Sequence, residues 1–189
     1  SALRVRAFWF CLAVSFIVMG IFNGVTTWVE NIIRLRGFTP ADAGTLGALM
    51  LVGGVIGAVV MPALSDKQRK RQRFLMLGVL LCIPWLAGLT FATQGWLLFL
   101  SAFGLGFFLV STLPIGMQYA AEVTHPTPEG TSNGLIQLFG QASVVFVYVM
   151  DILQSPGGSF TRPLLLAIGL LCLGLGLITQ MKDPVAASA

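Results

Sequence analysis

Gln137, Gln141 and Tyr148 recur at separations of four and then seven residues within an otherwise apolar run, which places all three on one face of an α-helix. Two carboxamides and a phenol can hold a polar solute through hydrogen bonds, but they neither attack it nor protonate it at neutral pH. The chemistry on offer is recognition. Two readings fit such a stripe: a wall facing a water-filled cavity, or glue that hydrogen-bonds to a neighbouring helix. Asn23, Thr26 and Gln118 are further polar groups inside apolar runs, open to the same two readings. Near them stand Thr27, Trp28 and Glu30. Trp28 is either an interfacial anchor or a ring face suited to a cationic ligand.

Charge is concentrated in one short stretch, Pro62-Ala63-Leu64-Ser65-Asp66-Lys67-Gln68-Arg69-Lys70-Arg71, followed by Arg73. The basic residues anchor a membrane protein on its cytoplasmic side. Asp66 is different, because a carboxylate among cations can pair with an Arg or Lys, or with a helix N-terminus, while the helix ends are together. That makes Asp66, with Lys67, Arg69, Lys70 and Arg71, a candidate gate. Glu122, Thr124 and His125 form a second polar hinge, closed by Pro126, Pro128 and Glu129. A lone loop histidine such as His125 is ordinarily just solvated, the alternative being a proton-sensing role.

Bond-making chemistry finds no support. No Ser with His, paired Asp or His-Glu metal set lies at matching depths. Cys11, Cys82 and Cys172 sit singly in apolar runs, where a thiol behaves as a small hydrophobe and lacks metal-site spacing. No metal, no cofactor and no enzyme activity are expected.

The elements that position these residues follow from composition. The 189 residues are 56% hydrophobic and 10% charged, with mean hydropathy +0.89. Soluble domains carry roughly 25% charged residues, so this is a bilayer protein. At about 20 residues per crossing, the chain holds six spans and little else. Apolar runs lie at about 8–29, 42–64, 74–92, 96–121, 130–152 and 163–181. They lack the dyad alternation of a barrel, so all six are expected to be helices. A chain starting at Ser1 with no cleavage site after Arg4 and Arg6 reads as a trimmed or partial one without a signal peptide.

Arg4, Arg6, Lys67, Arg69, Lys70, Arg71, Arg73 and Lys182 fall on one side of such a bundle, against Arg34, Arg36 and Arg162 on the other. The positive-inside rule then puts both termini in the cytoplasm. It also accounts for the net charge of +4 without a nucleic-acid partner. Glu30 with Thr39-Pro40, Asp42 and Gly44-Thr45 parallels Glu122 with Thr127-Pro128, Glu129 and Gly130-Thr131. In both, Thr is placed to cap a helix and Pro to start it. Either these starts are independent, or they mark the inverted three-plus-three repeat of a secondary transporter. Pro84 and Pro114 predict kinks. No acidic residue falls at a bilayer centre, since Glu30 and Asp151 lie near outer ends, so these spans favour uniport or facilitated diffusion.

The Pro62–Arg71 stretch resembles the cytoplasmic loop motif of the major facilitator superfamily, with Pro62 and Arg69 standing where glycines are usual. That resemblance implies half of a twelve-helix transporter. The run Phe107 to Gly116, then Glu122-Val123-Thr124-His125-Pro126 and Glu129 through Gln141, is similar to helices ten and eleven of the feline leukaemia virus subgroup C receptor-related transporters, linked to haem, choline and ethanolamine. The close similarity covers about a quarter of the chain. It implies that the six spans are helices seven to twelve, with a substrate-contacting Gln at position 141. Asn23 stands where an aromatic residue is expected, a departure from a choline-type cage. The reading is a C-terminal transporter half that moves a small solute, a choline-like cation or another small organic metabolite, by alternating access in a plasma or inner membrane. Its partner is a missing N-terminal half or a second copy. The alternative is a non-transporting membrane scaffold or subunit.

Overall fold

A computed structural model describes residues 2–181, so Ser1 and Lys182 lie outside the described residues. After a short 3-10 turn, the elements are α1 (Arg6–Arg34), α2 (Pro40–Gln68), α3 (Arg71–Phe91), α4 (Gly95–Thr124), α5 (Glu129–Ala142), α6 (Val145–Ile152) and α7 (Thr161–Thr179). There is no strand among the described residues. With α5 and α6 forming one span, Glu129–Ile152, six helices are long and apolar enough to cross a membrane. The chain is an all-helical bundle.

Lipid offers helices no hydrophobic reason to associate, so close approach and van der Waals contact must hold them. Gly53 and Gly57 let α2 lie against the backbone carbonyls of Phe103 and Phe107 on α4, and Gly106 of α4 returns the contact against Met50. In the interior, the Cys11 thiol of α1 donates to the Gly116 carbonyl of α4 at 3.3 Å. α7 sits outside, against α1 and α3.

Two sets of contacts define the ends of the bundle. At one end, Arg71 at the start of α3 reaches Glu122 near the end of α4, and Gln72 donates to the Ile178 carbonyl of α7 at 2.9 Å. This end also carries Arg6 at the start of α1 and is termed the basic end. At the other, Arg36 donates to the Leu89 and Ala92 carbonyls at 2.7 and 3.1 Å. It thereby caps the last turn of α3, whose carbonyls have no partner within the helix. Burial lowers the pKa of this guanidinium from its ordinary value.

The two Thr-Pro starts differ. Thr39 and Asp42 form a capping box with Pro40 inside the helix. In the second, Pro128 itself occupies the N-cap and no side chain caps α5. Thr127 is therefore one residue too early to reach the free amides. α3 and α4 continue through Pro84 and Pro114. The interruption comes elsewhere, at Ser143–Val144, where Val144, Phe146 and Val147 amides bond three residues back instead of four. Arg69 ends α2 in the left-handed region, φ 52°, where an L-residue costs about 1–2 kcal/mol relative to relaxed geometry. The resembled loop motif carries glycine there, which adopts that conformation without a Cβ penalty.

Candidate functional site

α5 and α6 have a sharply divided surface. Ile136, Gly140, Ser143, Phe146 and Met150 are buried; Gly140 sits against Met19 of α1, and Phe146 and Met150 against Gly20 and Gly24. Gln137, Gln141 and Tyr148 lie on the opposite face and are exposed, Tyr148 at 67%. Among the described residues, none of the three makes a hydrogen bond that would mark it as interhelical glue. The span runs from 129 to 152, so Gln141 is at its middle. It also ends the last turn before the Ser143–Val144 interruption. Ser143 turns its hydroxyl back onto the Gly140 carbonyl at 2.5 Å, satisfying the local backbone at the break.

Both segments pack on α1, but their hydrogen bonds go to different neighbours. Toward the basic end, the Ser132 and Thr124 hydroxyls share a buried hydrogen bond of 2.6 Å, tying α5 to α4. Toward the other end, the Trp28 indole donates to the Val147 carbonyl at 3.0 Å, tying α6 to α1. Trp28 also meets the Phe160 ring at a centroid distance of 5.2 Å. Its N–H and part of its ring are thus engaged within the bundle.

The remaining α1 candidates are less committed. Asn23 is half-buried, and its amide makes no hydrogen bond among the described residues. Thr26 donates to the Phe22 carbonyl at 2.7 Å within its own helix, leaving its oxygen lone pairs as acceptors.

A second assembly forms at the basic end. Arg71 is 10% exposed and pairs with both Asp66 and Glu122. Its Nε and Nη2 donate to Glu122 Oε1 at 3.2 and 3.1 Å, while Nη1 reaches Asp66 and the Ser65 hydroxyl. Gln118 donates to the same Glu122 oxygen at 3.1 Å. Gln118 therefore stands with this charge cluster, about 12 Å along α4 from the middle of that helix at 1.5 Å per residue. Of the basic loop, Arg71 alone is drawn in among the described residues. Lys67, Arg69 and Lys70 are exposed, as are His125 and Glu129 across the hinge.

Three contributors were not legible as site residues. Ser65 was given no role within the Pro62–Arg71 stretch, yet it is fully buried beneath Arg71. Ser143 carried no signal beyond a serine followed by two β-branched valines, a pair of modest helix formers. Arg36 looked like a topological charge and is a helix cap.

Comparison with known proteins supplies an independent line. Residues 1–148 match the Major Facilitator Superfamily. An uncharacterized protein of Archaeoglobus fulgidus is 33% identical over 172 residues, covering 90% of this chain and 77% of its own length. Solute carrier family 49 member A3 of Danio rerio is 32% identical over 166 residues, 84% of this chain and 35% of that protein. The choline/ethanolamine transporter flvcr2b of Danio rerio is 27% identical over 199 aligned residues, 99% of this chain and 41% of that protein. The chain thus spans well under half the length of both fish proteins.

Proposed function

The chain belongs to the major facilitator superfamily, and on that footing we propose that it is one six-helix half of a transporter that passes a small polar organic solute by alternating access. The observation that carries this reading is the exposed Gln137, Gln141 and Tyr148 stripe at mid-span, on a helix whose opposite face is packed. Polar groups at that depth belong against water, solute or another polar surface, not against acyl chains. Gln141 is the principal solute contact, with Gln137 and Tyr148 above and below it. Asn23 and Thr26 extend the wall from α1, and Trp28 holds α6 in place beside them. A partner half, from the same gene product or a second copy, covers the exposed apolar residues of α2 and α5.

The gate lies at the basic end, which the positive-inside rule makes cytoplasmic together with both termini. Asp66, Arg71, Glu122 and Gln118 lock the α2–α3 junction onto α4. Lys67, Arg69, Lys70, His125 and Glu129 remain exposed where a second half closes against them. Choline and ethanolamine, the solutes in the fish relative's name, are the first to try. A neutral amide wall suits their hydroxyl groups, and Asn23 provides a polar contact in place of an aromatic one.

Uptake of radiolabelled choline and ethanolamine into vesicles carrying the full-length gene product tests this reading, comparing wild type with Gln141→Ala. Losing one buried hydrogen-bond partner is worth about 1–3 kcal/mol, so the apparent affinity is expected to fall about fivefold to 150-fold at unchanged protein level. Equal affinity would remove Gln141 from the solute site. No uptake by the wild type would exclude both solutes.

A further inference from the structure

A concave surface lies on the other side of α5 from Gln141. Between α1, α5, α6 and α7 runs a groove of about 430 Å3, lined by apolar residues that include Phe16 and Gly20 of α1, Phe139 and Phe146, and Leu173 and Leu177 of α7. Trp9 stands at its basic end, edge-on to Phe139 with ring centroids 6.3 Å apart. Its indole N–H is already donated to the Leu3 carbonyl at 3.0 Å, so it too presents only carbon to the groove.

Both Trp9 and Gly20 line this surface, and at 1.5 Å per residue the groove follows α1 for about 16 Å. That is about half of a ~30 Å hydrocarbon layer, the depth of one leaflet. A separate cavity of about 300 Å3, lined by Arg6, Ala7, Phe10 and Gln180, lies on the turns of α1 and α7 nearer the basic end, Arg6 and Gln180 each standing three residues beyond the groove's Trp9 and Leu177. Gln180 continues the α7 stripe of Leu170, Leu173 and Leu177 by one helical step. Arg6 is exposed and forms no ion pair among the described residues.

We propose that this groove is a binding site for one anionic phospholipid of the bilayer, its acyl chain along the groove and its phosphate at Arg6 and the Gln180 amide. The other occupants fit poorly. A peptide segment would bring backbone amides and carbonyls that the apolar walls cannot satisfy. A helix from a second copy is about 10–12 Å across, too wide for so small a volume. A wholly apolar molecule would leave the cation at the mouth without a counterpart. An acyl chain with an anionic head meets both halves of the surface.

The test is native mass spectrometry of the full-length protein, delipidated in detergent and titrated with phosphatidylglycerol or with phosphatidylcholine of the same acyl chains. One phosphatidylglycerol is expected to remain bound, preferred about fivefold, the worth of one basic residue against anionic lipid. Arg6→Gln is expected to bring the two lipids to parity. Ala13→Phe, which fills the groove, should weaken both, and Arg162→Gln at the opposite end should change neither. If Ala13→Phe fails to fold, Leu173→Gln, at an exposed groove position, is expected to weaken both lipids in its place. Equal binding of the two lipids by wild type, or a preference that survives Arg6→Gln, would overturn the proposal. So would undiminished binding when the groove is filled or made polar.

Discussion

Replacing Gly57 with valine is expected to eliminate most of the folded protein from detergent extracts, while Gly169→Val in α7 leaves its yield and melting temperature nearly unchanged. A Cβ at Gly57 would overlap the carbonyl group and Cα of Phe107, whereas one at Gly169 meets no atom within 4 Å. The Gly57 obstacle is backbone, so no rotamer change relieves it and α2 must move away from α4. Overpacking costs typically 1–3 kcal/mol, and losing the neighbouring Gly53 and Gly106 contacts takes this case to about 3 kcal/mol or more. For a chain of this size that is a fall of roughly 10 °C in apparent melting temperature. Size-exclusion profiles and thermal scans of the two variants check it. A Gly57→Val protein as stable as wild type would show that the α2–α4 contact has slack the geometry does not suggest.

The second large effect belongs to Arg71. Arg71→Met keeps most of the side chain's volume but leaves Glu122 in place with no cation beside it. Its Oε2 already lacks a hydrogen-bond partner among the described residues. Removing one partner of a buried ion pair costs about 3–5 kcal/mol. Glu122 retains 27% side-chain exposure, so about 2–3 kcal/mol is the reasonable expectation here. Asp66 is 61% exposed, and Asp66→Asn is expected to cost under about 1 kcal/mol, as surface pairs do. The double variant Arg71→Met with Glu122→Gln should recover more than half of the single variant's loss, because the isolated charge is gone. Thermal unfolding of the four proteins reads this directly. No recovery in the double variant would mean that Arg71 acts by packing alone.

The bundle was legible because the bilayer imposes it. Hydrocarbon thickness dictates helix length and leaves helices as the solution for six apolar runs, so composition alone reached an all-helical membrane fold. The Gln137, Gln141 and Tyr148 face was equally legible, since helical periodicity survives any detail of packing. What escaped was set by particular contacts, some distant in sequence and some local. Arg36 was counted as a charge on one side of the membrane, and only the approach of α3 makes it a cap. Gln118 was grouped with the solute-facing amides by polarity, and its hydrogen bond to Glu122, one turn away, could not be read from that grouping. The break at Ser143–Val144 has no proline to announce it. Pro84 and Pro114, read as kink sites, lie inside α3 and α4 without ending them. Thr127 failed as a cap for a local reason, the proline that follows it having taken the capping position.

The central claim is that the Gln141 face meets water and solute in the middle of the membrane. The most direct measurement is the reaction rate of a charged, membrane-impermeant thiol reagent with full-length protein in native vesicles. The exposed Cys172 is first replaced through Cys172→Ser, and Gln141→Cys is then compared with Leu173→Cys in the groove on the far side of α5. Gln141→Cys is expected to react about tenfold faster or more, as a group lining an aqueous cavity would, and to be shielded by transported solute. Equally slow reaction at both positions would contradict the account, placing Gln141 against lipid or protein and the solute path elsewhere.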